Sequence, residues 1–200
     1  DPAFTGYYEP QIEASWIQTE QYSHPLYALP KDVKRGVPYY DRRAIDIDGA
    51  LQGRGLELAW IKDPVDAFFL QVQGSGRLHF TDGSVKHVLY NGKNNRAYVS
   101  LGRAMKERGL LEPDNVSMRS IREYLAAHPE ERDELLCLNP SYVFFRLSDA
   151  GPYGAMQKAL TPFVSLAVDR KVLALGSVLV YALPYPGEVG NDKRTLQGGN

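Results

Sequence analysis

The sequence predicts a mainly β fold with a few helices, in which one small barrel is inserted into the strands of another. Short apolar runs separated by Gly, Pro, Asn and Asp turns fill residues 3–90, an amphipathic helical block occupies 98–138, and β patterning returns from Ser141. On this pattern residues 15–145 form the inserted smaller barrel with its helices, and 1–14 and 146–200 supply the two pieces of the enclosing domain.

The stretch AFTGYYEPQIEASWI (3–17) alternates as a long strand broken at Pro10, and HPLYALP (24–30) gives a second strand bounded by prolines. Residues 39–55 suggest a short helix ending at a glycine. LELAWI (56–61) and DAFFLQVQ (66–73) read as strands, the second nearly continuous in apolar residues and therefore buried. Gly74-Ser75-Gly76 turns the chain into RLHF, Thr81-Asp82-Gly83 makes the next turn, and SVKHVLY (84–90) returns. Val99, Leu101, Ala104 and Met105 stand at helical spacing before Gly109, a second helix starts at Ser117, and a third stops at Asn139-Pro140. YVFFRL (142–147), FVSLAVD (163–169), KVLAL (171–175) and SVLVYALP (177–184) read as short strands, and a polar Gly/Pro-rich tail follows.

Composition narrows the function. The hydrophobic fraction is 44%, the charged fraction 24% and the formal net charge −1, so no long-range field favours nucleic acid or anionic lipid. The scattered cations, among them Lys31, Lys34, Arg35, Arg42 and Arg43, read as solvated faces. The lone Cys137 excludes an intrachain disulfide and, in the apolar run LLCLNP, reads as a structural thiol. No run of about 18 apolar residues could span a membrane. Both ends are expected to be cuts through a larger protein.

Two segments, 66–78 and 90–105, pair an apolar run with dense Gly, Asn, Gln and Ser. Amides and hydroxyls both donate and accept hydrogen bonds, which suits a ligand carrying hydroxyls and acetamides and points to a sugar polymer. Gln71 and Gln73 would share a strand face beside the Gly-Ser-Gly turn, although a plain hairpin accounts for the same residues. In YNGKNN, Lys93 could meet a carboxylate, and an Asn-Gly turn with solvated amides is the alternative. In FTGYYEP, tyrosine faces suit the apolar side of sugar rings, or are ordinary strand residues.

Glycoside cleavage needs a proton donor, and Glu9, Asp63, Asp66, Asp82 and Asp169 are the candidates. Asp82 reads as a turn residue and Asp63, before Pro64, as a cap or turn; Asp169 follows an apolar run. The four histidines (24, 79, 87 and 128) lack metal-site spacing, and no nucleophile elbow is present.

At FTGYYEP, QVQGSGR, YNGKNNRAYVSLGRAM and NPSYVFFR the chain resembles the membrane-bound lytic murein transglycosylase A family. The resemblance implies a double-psi β-barrel, incomplete here, carrying a smaller inserted β-barrel, with a glycan groove between them. It implies cleavage of the MurNAc-β-1,4-GlcNAc bond of peptidoglycan without water. One aspartic acid protonates the glycosidic oxygen, then acts as base while the muramyl 6-hydroxyl closes a 1,6-anhydro ring. Ala167, Asp169, Leu175 and Gly176 match the first signature segment, with Ala174 where the family usually has Pro. Asp169 is then a supporting carboxylate, and the main acid is expected beyond Asn200. Thr5, Gly6, Tyr7, Tyr8, Gln71, Gln73, Ser75, Asn91, Lys93 and Asn94 are the expected substrate-binding residues. The resemblance further implies no cofactor or metal, peptidoglycan strands as the partner, a monomer, and a periplasmic outer-membrane lipoprotein. The alternatives are a non-catalytic glycan-binding fragment, a barrel with a purely structural or protein-partner role, and a hydrolase using Glu9 as its acid.

Overall fold

A computed structural model describes residues 9–154, 158–161, 164–165, 173–174 and 176–178. Six strands form one sheet: β1 (Gln11–Ser15), β2 (His24–Tyr27), β3 (Glu57–Ile61), β4 (Ser75–Phe80), β5 (Val85–Lys93) and β6 (Val143–Ser148), in the order β2-β3-β1-β4-β5-β6. Every neighbouring pair is antiparallel except β1 and β4, which run parallel. A bridge between Ala28, just past β2, and Phe145 in β6 brings the two outer strands together, so the sheet curls in the manner expected of a small barrel. The expected boundaries at 14/15 and 145/146 fall inside β1 and β6, two strands of this one sheet. The strands expected from Phe163 onward, and the enclosing barrel they would build, lie largely outside the described residues.

Five helices complete the described part: α1 (Arg42–Asp46), α2 (Pro64–Gln73), α3 (Leu101–Glu107), α4 (Met118–Ala127) and α5 (Arg132–Leu136). Sequence patterning anticipated four of them. It misassigned α2, which was expected to be a buried strand. The helix has clear stops at both ends: the Asp63 carboxylate accepts from the Val65 N–H at 2.8 Å, Pro64 occupies the first turn, and Gly74 closes the helix at a φ of 84°. Its apolar residues run nearly unbroken because it is buried on two sides. Ala67 and Leu70 join the sheet's core with Ile12, Ile61, Leu78 and Phe145, while Val65, Phe68 and Phe69 join the helical core with Leu101, Met105, Ile121 and Leu136. Burying each of these large side chains contributes about 1.5–3 kcal/mol.

The Gly-Ser-Gly turn is therefore a helix-to-strand junction. A side chain on Gly76 would meet Leu70 Cδ1 at 2.7 Å and the Pro10 carbonyl oxygen at 2.9 Å, so glycine is needed here for packing. A third core of Tyr27, Ile45, Leu51, Tyr142 and Phe144 lies under α1. It anchors the loop that carries the polar residues described next.

Candidate functional site

The Asp41 side chain caps α1 by accepting from the Ala44 N–H at 2.9 Å, which sets Arg42 at the first helical position and turns it inward. Arg42 was expected on a solvated face, yet it is only 2% exposed. Its guanidinium lies 4.8 Å from the Phe68 ring centre and 5.2 Å from that of Tyr142. Nε donates to the Asn139 carbonyl at 3.0 Å, and Nη2 donates to the Ser141 carbonyl and to Gln71 Oε1, both at 2.8 Å. Nη1 meets Asp46 Oδ2 at 3.3 Å. A buried cation is tolerated only when its donors are satisfied in this way.

Two asparagines extend the network. Asn94, fully buried, donates from Nδ2 to the carbonyls of Tyr40 and Pro140 at 2.9 and 2.8 Å and accepts the Tyr142 N–H at 2.8 Å. Its amide therefore clamps loops 94–100 and 139–142 together. Asn139, expected only as a helix stop, accepts from the N–H groups of Val99 and Ser141 at 3.1 and 3.2 Å. Sequence reasoning missed Arg42 and Asn139 as site-building residues. The only signals were an aspartate before Arg42 and a polar residue before Pro140.

Over this network opens a pocket of about 350 Å³, lined by Arg42, Gln71, Val72, Tyr98, Asn139, Ser141 and Val143. Tyr98 is 57% exposed and Val72 43%. The lining mixes N–H donors, an aromatic ring and apolar methyls, and among the described residues it has no carboxylate. Such a lining is chemically suited to a polar ligand without a formal charge.

The expected site residues lie in different parts of the chain. Gln71 is buried within the pocket wall, and Asn94 lies beneath it. Gln73 does not share a face with Gln71, since two residues on a helix diverge by about 200°; its Nε2 approaches Met118 Sδ at 3.8 Å. Ser75 is buried at the start of β4. Asn91 and Lys93 are exposed on β5, where the register shifts between Tyr90 and Gly92, and Lys93 pairs with pocket residue Val143. Thr5, Gly6, Tyr7, Tyr8 and Asp169 lie outside the described residues.

The other carboxylates have structural partners. Glu9 is buried, with Oε2 2.9 Å from Arg77 Nε in an ion pair lacking hydrogen-bond alignment, and Oε1 3.2 Å from His87 Nδ1. Each oxygen thus faces a partner within the fold. Asp82 accepts from the Ser84 N–H at 2.9 Å, as a turn residue should, and hydrogen bonds from Ser84 hold its carboxyl below the usual range. Asp66 pairs with Arg122 at 2.7 Å. Cys137 is half-buried, and burial pushes its thiol up, in keeping with a structural thiol. His128, Glu130 and Glu131 bring ligand atoms within 4.8 Å of one another at the α4–α5 turn, where Tyr124 already donates to Glu131.

Residues 3–146 match the family model described as the MltA specific insert domain. The chain belongs to the MltA family. It is 40% identical over 184 residues to the membrane-bound lytic murein transglycosylase A of Vibrio cholerae, covering 90% of this chain and 49% of that protein. The Escherichia coli K12 protein of the same name is 38% identical over the same shares. Among solved MltA structures, E. coli MltA with bound chitohexaose superposes with a TM-score of 0.76 at 38% identity, covering 85% of this chain and 50% of that one. A membrane-bound lytic murein transglycosylase from Agrobacterium tumefaciens gives 0.75 at 37% identity, covering 84% and 53%. The chain thus spans about half the length of the MltA relatives it matches.

Proposed function

We propose that this chain is part of a peptidoglycan lytic transglycosylase. The enzyme cleaves the MurNAc-β-1,4-GlcNAc bond without water, leaves 1,6-anhydroMurNAc ends and serves cell-wall turnover. The chain supplies the glycan-binding insert, a neutral wall of amides, hydroxyls and aromatic rings. The observation that carries this reading is the likeness, at 38% identity and a TM-score of 0.76, to a family structure holding chitohexaose, a β-1,4-linked N-acetylglucosamine polymer. The carboxylate-free pocket above Arg42 supports it.

In this reading the described residues bind and orient a sugar strand, and the proton donor sits on the portion of the relatives' length that the chain does not span. Thr5, Gly6, Tyr7 and Tyr8 are further substrate-binding residues in this reading, together with Gln73, Ser75, Asn91 and Lys93. Asp169 supports the acid by orienting it. One carboxyl can act twice, because the attacking hydroxyl belongs to the substrate. The relatives are named membrane-bound, and among the described residues no helix is long and apolar enough to cross a membrane. The name of the relatives supports a lipid-anchored protein on the periplasmic side of the outer membrane, and we take it to act as a monomer.

Digesting purified sacculi and analysing the muropeptides tests the reading. Anhydro-ended products released by a protein of the relatives' full length that includes this chain are expected; reducing-end products would overturn the non-hydrolytic mechanism. A second reading, a glycan-binding segment without its own acid, is favoured for these residues alone by the engagement of both Glu9 oxygens. It is expected to show as glycan affinity without product from the 200-residue chain.

A further inference from the structure

The side chain of Gln71 is buried, at 6% exposure, and its two ends have opposite fates. Oε1 accepts from Arg42 Nη2 at 2.8 Å and from the Val143 N–H at 3.3 Å. Nε2 has no hydrogen-bond partner among the described residues. The amide cannot turn over to remedy this, because a flip would point its N–H groups at two other donors and leave the carbonyl oxygen without either bond. Arg42, itself fixed by Asn139, Ser141 and Asp46, thus sets the orientation of Gln71. The result is a buried donor, held without an acceptor, on a residue that lines the 350 Å³ pocket. Such a group is costly to bury until an acceptor reaches it.

We infer that this pocket is a subsite for the acetamido group of a glycan, with Gln71 Nε2 donating to the acetamide carbonyl. This inference rests on the glycan-binding reading above and specifies one contact within it. A carbonyl oxygen supplies the missing acceptor. The methyl group meets the apolar side chains of Val72 and Val143, and the exposed Tyr98 ring offers a face to the sugar. A carboxylate is the poorer match, because Nε and Nη2 of Arg42 are taken by Asn139, Gln71 and Ser141, Nη1 meets Asp46, and no other cation lines the pocket among the described residues. Nε2 is shielded from water at rest, so entry requires a small outward movement at the mouth, where Tyr98 and Val72 are exposed. Gln71 acts here as a binding residue, and Arg42 as the residue that positions it.

The test is Gln71→Glu. Glutamate keeps the shape and offers an oxygen to Arg42 and Val143, so the fold survives, but it removes both N–H groups. Chitohexaose is titrated into the 200-residue chain and its variant, with the Gln71 side-chain amide resonances of the unsubstituted chain followed by NMR. Expected are a shift of those resonances on binding and a roughly tenfold loss of affinity in the variant. A variant that binds equally well, with unmoved Gln71 resonances in the parent, would overturn the subsite and leave the glycan-binding reading standing. Absence of chitohexaose binding by a correctly folded parent chain would overturn both. Thermal melts of the two proteins confirm folding, and Gln71→Met, a neutral side chain without donors, is expected to lose the same affinity.

Discussion

The floor of the pocket and the outer faces of α3 and α4 use the same chemical types for opposite ends. Beneath the pocket, one buried arginine and two asparagines satisfy backbone carbonyls and amides from segments as distant in sequence as 42, 94 and 139–142. On the helices, Arg103–Glu107 and Arg119–Glu123 are i,i+4 pairs at 2.8 Å with all four side chains at least 61% exposed. Pairs of that kind are screened by water and salt and contribute little. A buried polar group has no water to fall back on, so losing a partner costs the whole desolvation of whatever is left behind. Location rather than partner distance decides which of these contacts shape the site.

The largest effect should come from Arg42→Ala. It leaves two carbonyls and Asp46 without their donor, and a loss of about 3–5 kcal/mol in denaturant unfolding is expected. A loss below 1 kcal/mol would mean that the network is not cooperative. Asn94→Ala should follow, at about 2–3 kcal/mol, since it removes hydrogen bonds to two carbonyls and two backbone amides from a fully buried position. Proteolysis should then strike within 94–100 before the sheet.

A smaller effect sharpens the comparison through pH. Burial pushes His24 below its ordinary value of 6.5, opposed by Asp46 and aided by Arg42 and Arg132. As pH falls through about 6.5 the unfolded chain takes up a proton that the folded chain resists, so stability falls on acidification, by at most about 1.4 kcal/mol per pH unit from this group. The decline ends once pH passes the depressed folded-state value. His24→Gln should flatten that slope between pH 6.5 and 5; an unchanged slope would exclude His24 as its source. Last, Arg119→Ala should leave the melting temperature unaltered in salt, and a clear drop there would break the contrast with the pocket floor.

How much could be read from the sequence follows the same division. Local periodicity revealed β1 to β6 and four helices, because alternation, caps and turns are local signals. It failed at 64–73, where burial between the sheet and the other helices erased the polar stripe that marks an amphipathic helix. The capping signal at Asp63-Pro64 was present but was outweighed by the apolar run. The parallel pairing of β1 with β4 was also out of reach, since it depends on how strands 66 positions apart come together. For the site, the amide-rich segments include Gln71, which lines the pocket from a helix where a strand was expected. The same reasoning placed Asn94 in contact with ligand, whereas its amide is engaged by backbone. Arg42 reads as any surface arginine until its neighbours from α2 and from 139–142 are known.

Isothermal titration of chitohexaose into the 200-residue chain tests the central claim most directly. Saturable one-to-one binding, weakened when Tyr98 is changed to Ala, is the result expected of a glycan-binding insert. A folded chain that takes up no chitohexaose would contradict it.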